Sequence, residues 1–268
     1  MSKPVASSYG DYLKVRELLE LQKPLSTPQH HDEMLFIVIH QVFELWFREM
    51  IHEIGAVMEA LKADRIRRAT RLFRRLIEIQ RVLLQQIAVL ETMTPVDFNK
   101  FRDLLNPASG FQSWQFRELE FLSGMKSRAY LSLPGVDKTI RAVLERRLAE
   151  PSLADGFDDV LRQRSFDLPG EGDETLGPKR IQALKIIYDR NEEHDDLYQL
   201  CEAMIEYDEN FQLWRYHHIR MVERMIGRKP GTGGSEGVGY LATTLDKRCF
   251  PDLWEVRTHL AGPGGYGG

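Results

Sequence analysis

The chain has little cysteine, no excess of basic residues and no long apolar run. Only Cys201 and Cys249 occur in its 268 residues, and neither belongs to a CxxC motif, so neither a disulfide framework nor a thiolate metal site is indicated. We therefore expect two reduced, structural thiols. Lysine and arginine number 36 against 40 acidic residues, which argues against an overall polycationic surface that would bind nucleic acid.

Signals that would direct the chain into a membrane or out of the cell are also missing. No apolar stretch approaches the roughly 20 residues that span a bilayer. The N-terminal stretch MSKPVASSYGDY lacks the apolar core of a signal peptide. The sequence therefore predicts a cytoplasmic protein with neither a membrane nor a nucleic acid as a partner.

Alternation of apolar and polar residues, the pattern of a half-buried strand, never continues beyond a few residues. Apolar residues instead recur with the 3.6-residue period of a helix. This period predicts helical stretches at Thr27 to about Leu61, Arg65 to Met93, Phe111 to Gly124, Gly135 to Arg164 around Pro151, and Arg180 to Ile226. We expect Ser26 or Thr27 to cap the first stretch, with Pro28 in its first turn.

The pattern as a whole predicts an all-α fold of long antiparallel helices in a single domain, residues 1–268, with short flexible N- and C-terminal ends. The polar stretch DLPGEGDETLGP, residues 167–178, is rich in proline and glycine, and we expect an exposed, mobile connection there. The C-terminal AGPGGYGG is expected to be disordered.

A glycine-rich stretch, GRKPGTGGSEGVGY, follows the last helical pattern. It fails the tests for a phosphate-binding loop, because no predicted strand precedes it and it contains no GKS or GKT. Its glycines would still allow the backbone to approach a ligand closely, with Thr232 and exposed amides as donors. A plain flexible connection is the alternative.

Two histidines fall on the apolar faces of predicted helices. His218 lies four residues after Trp214, whereas the adjacent His217 points elsewhere. His40 lies four residues after Phe36, so the two rings should stack on one side of the first long helix. An inward imidazole is either a satisfied core residue or a ligand of a metal or haem iron.

Protein ligands alone do not suggest a metal cluster. The stretches HHDEM and NEEHDD offer imidazoles and carboxylates, but neither gives the Glu-x-x-His repeat on two helices that a di-iron bundle requires. Haem suits the pattern better, because one axial histidine on a helical scaffold with apolar walls suffices.

Arg102 is the candidate partner for a ligand carboxylate. It lies one helical turn after Phe98 and beside Phe101, so an aromatic wall and a guanidinium can converge on one site. A surface salt bridge among the helix neighbours of Asp103 is the alternative.

Several long stretches together resemble the tryptophan 2,3-dioxygenases, haem enzymes that open the indole ring. They are SYGDYLKVRELLELQKPLS, HHDEMLFIVIHQVFELWFREM, FRDLLNPASGFQSWQFRELEFLSG, FQLWRYHHIRMVERMIGRKPGTGGSEGVGYL and FPDLWEVRTHL. These matches run in order from residue 8 to about 260, with the weakest coverage at residues 125–200. Ordered matches of this length are far more specific than any short motif.

The resemblance implies haem b, one per subunit and ferrous when active, with O2 as co-substrate. The reaction would convert L-tryptophan to N-formylkynurenine, the first step of tryptophan catabolism by the kynurenine route. His218, in WRYHHIR, matches the proximal iron ligand, and His40, in VIHQVFELW, matches the distal histidine that faces the indole nitrogen. Phe36 matches the ring beside the substrate. Arg102 matches the arginine at the substrate carboxylate, and Thr232 matches the threonine at its ammonium and carboxylate end.

The resemblance also implies an oligomer, in this family a homotetramer. Tyr9, Tyr12 and Leu13 match residues that a neighbouring subunit contributes to the site. Phe98 is a departure, because some relatives have a tyrosine there whose hydroxyl touches the carboxylate, and that hydrogen bond should be missing here.

Two rival hypotheses are a helical haem sensor or carrier without turnover, and a structural helical oligomer with merely buried histidines.

Overall fold

The computed structural model describes residues 8–132, 135–231 and 238–260. Throughout these ranges the regular structure is helical, and they contain no strand, which confirms the all-α fold class. Residues 1–7 and 261–268, where flexible ends were expected, lie outside the described residues.

Twelve α-helices occur in the described ranges. They are α1 Tyr9–Leu13, α2 Val15–Leu19, α3 His31–Lys62, α4 Ile66–Leu90, α5 Pro95–Asn99, α6 Trp114–Leu122, α7 Lys138–Ala149, α8 Leu153–Gln163, α9 Leu176–Asp189, α10 Asp195–Ile226, α11 Val238–Ala242 and α12 Pro251–Glu255. Short 3₁₀ helices cover Arg102–Leu105, Gly110–Gln112, Arg128–Ser132 and Val256–His259. The predicted break at Pro151 separates α7 from α8, and the predicted stretch from Arg180 to Ile226 divides into α9 and α10.

The start of α3 corrects the sequence prediction. The helix begins at His31, and the imidazole of His30 caps it, so neither Ser26 nor Thr27 is the capping residue. Ser26 is engaged by the buried Glu33, whose carboxylate accepts its backbone N–H at 3.0 Å and also its hydroxyl. Burial raises the pKa of Glu33, but the hydrogen bonds from Ser26 and Leu25, with a contribution from His30, together hold that pKa below its usual range. Pro28 therefore lies in the loop before the helix.

The relative directions of the three long helices α3, α4 and α10 follow from the ion pairs between them. An ion pair of 2.5 Å joins Arg75 of α4 to Glu53 of α3, and the short connection between these helices makes them an antiparallel hairpin. Arg81 pairs with Glu206 at 2.6 Å, and further along both helices Glu91 meets Arg224 at 3.6 Å. These contacts show that α10 lies beside α4 in the same chain direction and is therefore antiparallel to α3.

The main core lies among α3, α4 and α10, with α6, α8, α9 and α12 packed around it. Ile54, Phe73, Leu76 and Tyr207 have no accessible surface. Burial of each such side chain stabilises the fold by about 1.5–3 kcal/mol before conformational entropy is counted. Tyr207 keeps its hydroxyl satisfied through a 2.8 Å hydrogen bond with Ser123.

A buried carboxylate fastens the C-terminal segment to α10. Asp208 accepts the backbone N–H groups of Cys249 and Phe250 and the indole N–H of Trp254, each at 3.0 Å. Cys249, like Cys201, is buried and free, as expected for structural thiols. Burial raises the pKa of both thiols, so neither is activated as a nucleophile.

Across residues 8–132, 135–231 and 238–260, no helix is both long and apolar enough to cross a membrane. The cytoplasmic location stays a prediction.

Candidate active site

A cavity of about 730 Å³ lies between the N-terminal half of α3, the start of α6 and the C-terminal half of α10. Its walls are largely apolar and aromatic, and they include Phe43, Phe47, Leu90, Met93, Leu105, Phe111, Phe116, Met221, Val222, Met225, Ile226 and Leu241. This volume and lining are typical of sites for small molecules and cofactors.

Five of the residues singled out in the sequence line this one cavity: Phe36, His40, Phe98, Arg102 and His218. The Phe36 ring lies 4.1 Å from the His40 ring and 5.7 Å from the Phe98 ring, measured between centroids. The contact of Phe36 with His40 follows from their spacing of one helical turn, but the rings are tilted by 34° and not stacked as expected. Residues distant in sequence thus form one aromatic wall.

The tautomer of His40 is fixed by its own helix. Its Nδ1 lies 2.7 Å from the carbonyl oxygen of Phe36. A carbonyl oxygen only accepts, so Nδ1 carries the proton and Nε2 presents a lone pair. Burial lowers the pKa of His40, and the opposing effects of the Phe36 carbonyl and the Glu44 carboxylate are smaller. The ring is therefore a neutral hydrogen-bond acceptor at neutral pH.

His218 presents a second neutral imidazole to the cavity. Burial, with smaller contributions from His40 and Arg117, lowers its pKa to about 4. Among the described residues neither ring nitrogen of His218 has a hydrogen-bond partner, so a lone pair is free to bind a ligand. Its neighbour His217 is exposed and packs edge-on against Tyr216, as the prediction for the outer face of the helix requires.

Arg102 is half-buried and lies in the 3₁₀ helix that follows α5. One of its N–H groups donates to the carbonyl oxygen of Pro230 at 2.6 Å, which ties this segment to the chain that leaves α10. That chain turns at Gly227, whose φ of +60° is rarely adopted by residues with side chains. Within the described part of the chain Arg102 forms no ion pair, so the alternative of a surface salt bridge with the neighbours of Asp103 is not observed.

The three predicted residues of α1 do not line the cavity of their own chain. Tyr9 and Tyr12 in α1 are 78% and 74% exposed, and Leu13 is also exposed. Thr232 lies outside the described residues. Any contribution of these four residues to a site is therefore a matter for proposal.

Sequence reasoning missed a buried charge network at the cavity wall. Glu120 accepts from Arg117 at 2.5 Å and from Arg215 at 2.7 Å. Arg215 also donates to the carbonyl oxygen of Lys247 at 3.1 Å, so the network joins α6, α10 and the segment after α11. In the stretch WQFRELEFL, Arg117 and Glu120 lie one helical turn apart on the side that carries no apolar residue, so the sequence pattern is that of a solvated pair and does not signal burial.

Two buried polar atoms of the cavity-lining residues have no partner: Nε of Arg117 and Nε1 of Trp214. Unpaired buried donors are rare and costly, so a ligand acceptor that reached these two N–H groups would be stabilised by them. In the described ranges no group of three His, Cys, Asp or Glu side chains is arranged to hold a metal ion. A centre built only from protein ligands, such as a di-iron site, is therefore not found there.

Comparison with known proteins gives one consistent result. The family model described as tryptophan 2,3-dioxygenase matches residues 2–133 and 160–260. The tryptophan 2,3-dioxygenase of Myxococcus xanthus is 43% identical, over 96% of this chain and 91% of its own length. That of Herpetosiphon aurantiacus is 45% identical, over 95% of this chain and 99% of its own length. That of Kineococcus radiotolerans is 44% identical, over 94% of this chain and 91% of its own length.

Proposed function

The chain belongs to the tryptophan 2,3-dioxygenase family, and we propose that the cavity between α3, α6 and α10 is where it converts L-tryptophan and O2 to N-formylkynurenine. Family membership favours the enzyme over the rival hypotheses of a haem carrier and a structural oligomer. The observation that supports this location is that the guanidinium of Arg102, the neutral imidazoles of His40 and His218, and a set of aromatic rings line the same cavity. We also propose that residues 1–268 act as one helical domain.

The residues of the cavity fit haem b. A haem is a flat apolar ring with two carboxylates and an iron that accepts an imidazole nitrogen. The apolar walls suit the ring, the uncharged His218 suits the iron, and the unpaired N–H groups of Arg117 and Trp214 suit the carboxylates. We assign His218 as the proximal iron ligand. Haem, when bound, supplies the redox-active iron that activates O2.

The overall balance of the reaction explains what His40 has to do. L-tryptophan plus O2 has the composition of N-formylkynurenine, so no electrons or protons are gained or lost. The indole N–H survives as the formamide N–H of the product, and no group has to remove it permanently. A neutral Nε2 acceptor, held by the Nδ1 bond to Phe36, can receive a hydrogen bond from this N–H and orient the ring. We therefore assign His40 to orientation of the substrate.

The amino acid end of L-tryptophan would bind at the opposite side of the aromatic wall. Arg102 has N–H groups to spare after its bond to Pro230, and its planar fork matches a carboxylate. Thr232 would add donors to the ammonium and carboxylate end. Phe98 has no hydroxyl, so its contribution is the apolar face that packs 5.7 Å from Phe36.

We further propose a homotetramer in which α1 completes the site of a neighbouring subunit. Two tyrosines that are 78% and 74% exposed leave a large aromatic surface uncovered in one chain. Complementation tests the idea: co-purified subunits carrying His218→Ala or Tyr9→Ala/Tyr12→Ala should be more active together than either alone. The first supplies an intact α1, and the second supplies an intact iron site. Activity no greater than the sum of the separate variants would contradict an exchanged α1.

The iron assignment is tested by a matched pair on one helix. His218→Ala should lose the haem absorbance or hold haem weakly, since the proposed ligand is gone. His217→Ala should retain the native spectrum, because this ring is exposed and meets Tyr216 edge-on. Both are purified after haem-supplemented expression. Equal haem retention by the two variants would overturn the assignment.

A further inference from the structure

The imidazole of His218 is stacked flat on an indole ring. Its centroid lies 5.1 Å from that of Trp214, and the two planes differ by only 5°. The other histidine–aromatic pairs within the described parts of these long helices are less parallel: Phe36 and His40 differ by 34°, His40 and Phe43 by 77°, and Tyr216 and His217 by 88°. Spacing of one turn places two rings side by side, but it does not by itself make them coplanar.

The usual device for orienting a metal-bound histidine is a hydrogen bond from its second ring nitrogen to a carboxylate or a carbonyl. His40 has such a bond, to the carbonyl oxygen of Phe36. His218 has none among residues 8–132, 135–231 and 238–260. In this part of the chain the ring contact of His218 is the parallel stack on Trp214.

Trp214 is itself held by other rings. Phe116 lies 4.9 Å from it at 37°, and Phe43 and Phe47 meet it nearly edge-on at 6.1 and 6.3 Å. Rings contacted from several sides in a packed interior keep one rotamer. Trp214 and His218 both lie on α10, but the rings that hold Trp214 belong to α3 and α6.

We propose that Trp214 is a positioning residue that sets the plane of the His218 imidazole, and that it acts through stacking. The inference rests on the proposed iron site. Trp214 would then link the aromatic residues of α3 and α6 to the axial ligand of the iron, in place of the common carboxylate or carbonyl partner. Its unpaired indole N–H is a separate group, so the two contributions can be tested apart.

The plane of an axial imidazole can be read directly in the ferric, cyanide-bound holoenzyme. Proton NMR resolves the four haem methyl groups, and the order and spread of their hyperfine shifts depend on the azimuth of that plane. We expect Trp214→Phe, which keeps a ring and loses the N–H, to preserve the native order of shifts. Trp214→Leu should narrow the spread or give several sets of signals. Tyr216→Leu, which removes the exposed partner of His217, should leave the pattern unchanged.

A second measurement covers the case in which Trp214→Leu does not hold haem. In His218→Gly supplied with free imidazole, the added ring is no longer tethered to α10. Stacking on Trp214 should still give the native order of shifts, and adding Trp214→Leu to this variant should abolish it.

A native shift order in Trp214→Leu, or a non-native order in imidazole-filled His218→Gly with Trp214 intact, would overturn the positioning role. That result differs from failure of the iron site itself, in which His218→Ala would bind haem as the native protein does.

Discussion

Replacement of Arg102 by alanine should discriminate between substrates with and without a carboxylate. Arg102 lines the cavity, and one of its N–H groups donates a hydrogen bond to the carbonyl oxygen of Pro230 at 2.6 Å. A guanidinium has five N–H donors, so a fork remains for the carboxylate of L-tryptophan. The substitution therefore removes the contact with Pro230 whichever substrate is present, and it removes the pair with the carboxylate only for L-tryptophan. Tryptamine lacks the carboxylate, so its turnover is affected only by the loss of the Pro230 contact.

The two losses differ in size. Solvent reaches the contact with Pro230, and its loss should cost about 1 kcal/mol, roughly fivefold for either substrate. An unpaired carboxylate in a fully buried site costs about 3–5 kcal/mol, and because Arg102 is only half-buried we reduce this to about 2–3 kcal/mol. That corresponds to roughly 30- to 160-fold in kcat/KM. Tryptophan should thus lose at least about a hundredfold in total, and tryptamine only several-fold.

The assay is the initial rate of product formation, measured for both substrates with native enzyme, Arg102→Ala and Arg102→Lys. The lysine variant keeps the charge but loses the fork, so its discrimination should be intermediate. Arg220→Ala is a matched control, because this arginine is exposed on α10, where it contacts Glu223 and the ring of Tyr216, and it does not line the cavity. Haem content is measured for each variant. An equal loss for tryptophan and tryptamine would show that Arg102 holds the chain near Pro230, and would refute its role in recognition.

Three further results are expected. Burial lowers the pKa of His40 from its ordinary 6.5, so a fall of kcat/KM caused by protonation of His40 should be centred below pH 6.5. An inflection of the native enzyme above pH 6.5 that His40→Ala removes would contradict this. Asp208→Asn leaves one acceptor oxygen for three N–H groups. It should lower the free energy of unfolding, measured by urea titration, by about 2–4 kcal/mol. An unchanged free energy of unfolding would show that these bonds do not stabilise the fold. Tyr9→Ala/Tyr12→Ala should raise KM for tryptophan while haem content is unchanged; an unaltered KM would mean that α1 takes no part in the site.

The periodic helices could be predicted from sequence because their burial pattern is local. α4 shows this well: its arginines fall on one face and its apolar residues on the other, and both helix ends come within a few residues of the prediction. The start of α3 was missed because its capping residue is His30, whose imidazole accepts the backbone N–H of Asp32, and histidine is not among the residues that capping rules favour. The favoured candidate, Ser26, instead bonds to the carboxylate of Glu33.

The candidate site was predictable to different degrees. Family resemblance named Arg102 and His218, but spacing alone left each with a structural alternative, and only tertiary structure places them on one cavity. Glu120 and its two arginines were missed, because a charge that is buried by another helix looks in sequence like any charge on a solvated face. Such pairs are visible only when the packing of α6 against α10 is known.

The two cavity histidines show why burial alone does not define the role of an imidazole. Burial lowers the pKa of both, so each is neutral, yet the remaining surroundings give them different chemistry. The bond from Nδ1 of His40 to Phe36 leaves Nε2 as a pure acceptor in a fixed direction, which suits a substrate N–H. His218 has no such bond in the described ranges and is oriented by the face of Trp214, which leaves its nitrogens free for a metal. In the proposed site, the partner of the second ring nitrogen, more than the pKa, would therefore distinguish the orienting His40 from the ligating His218.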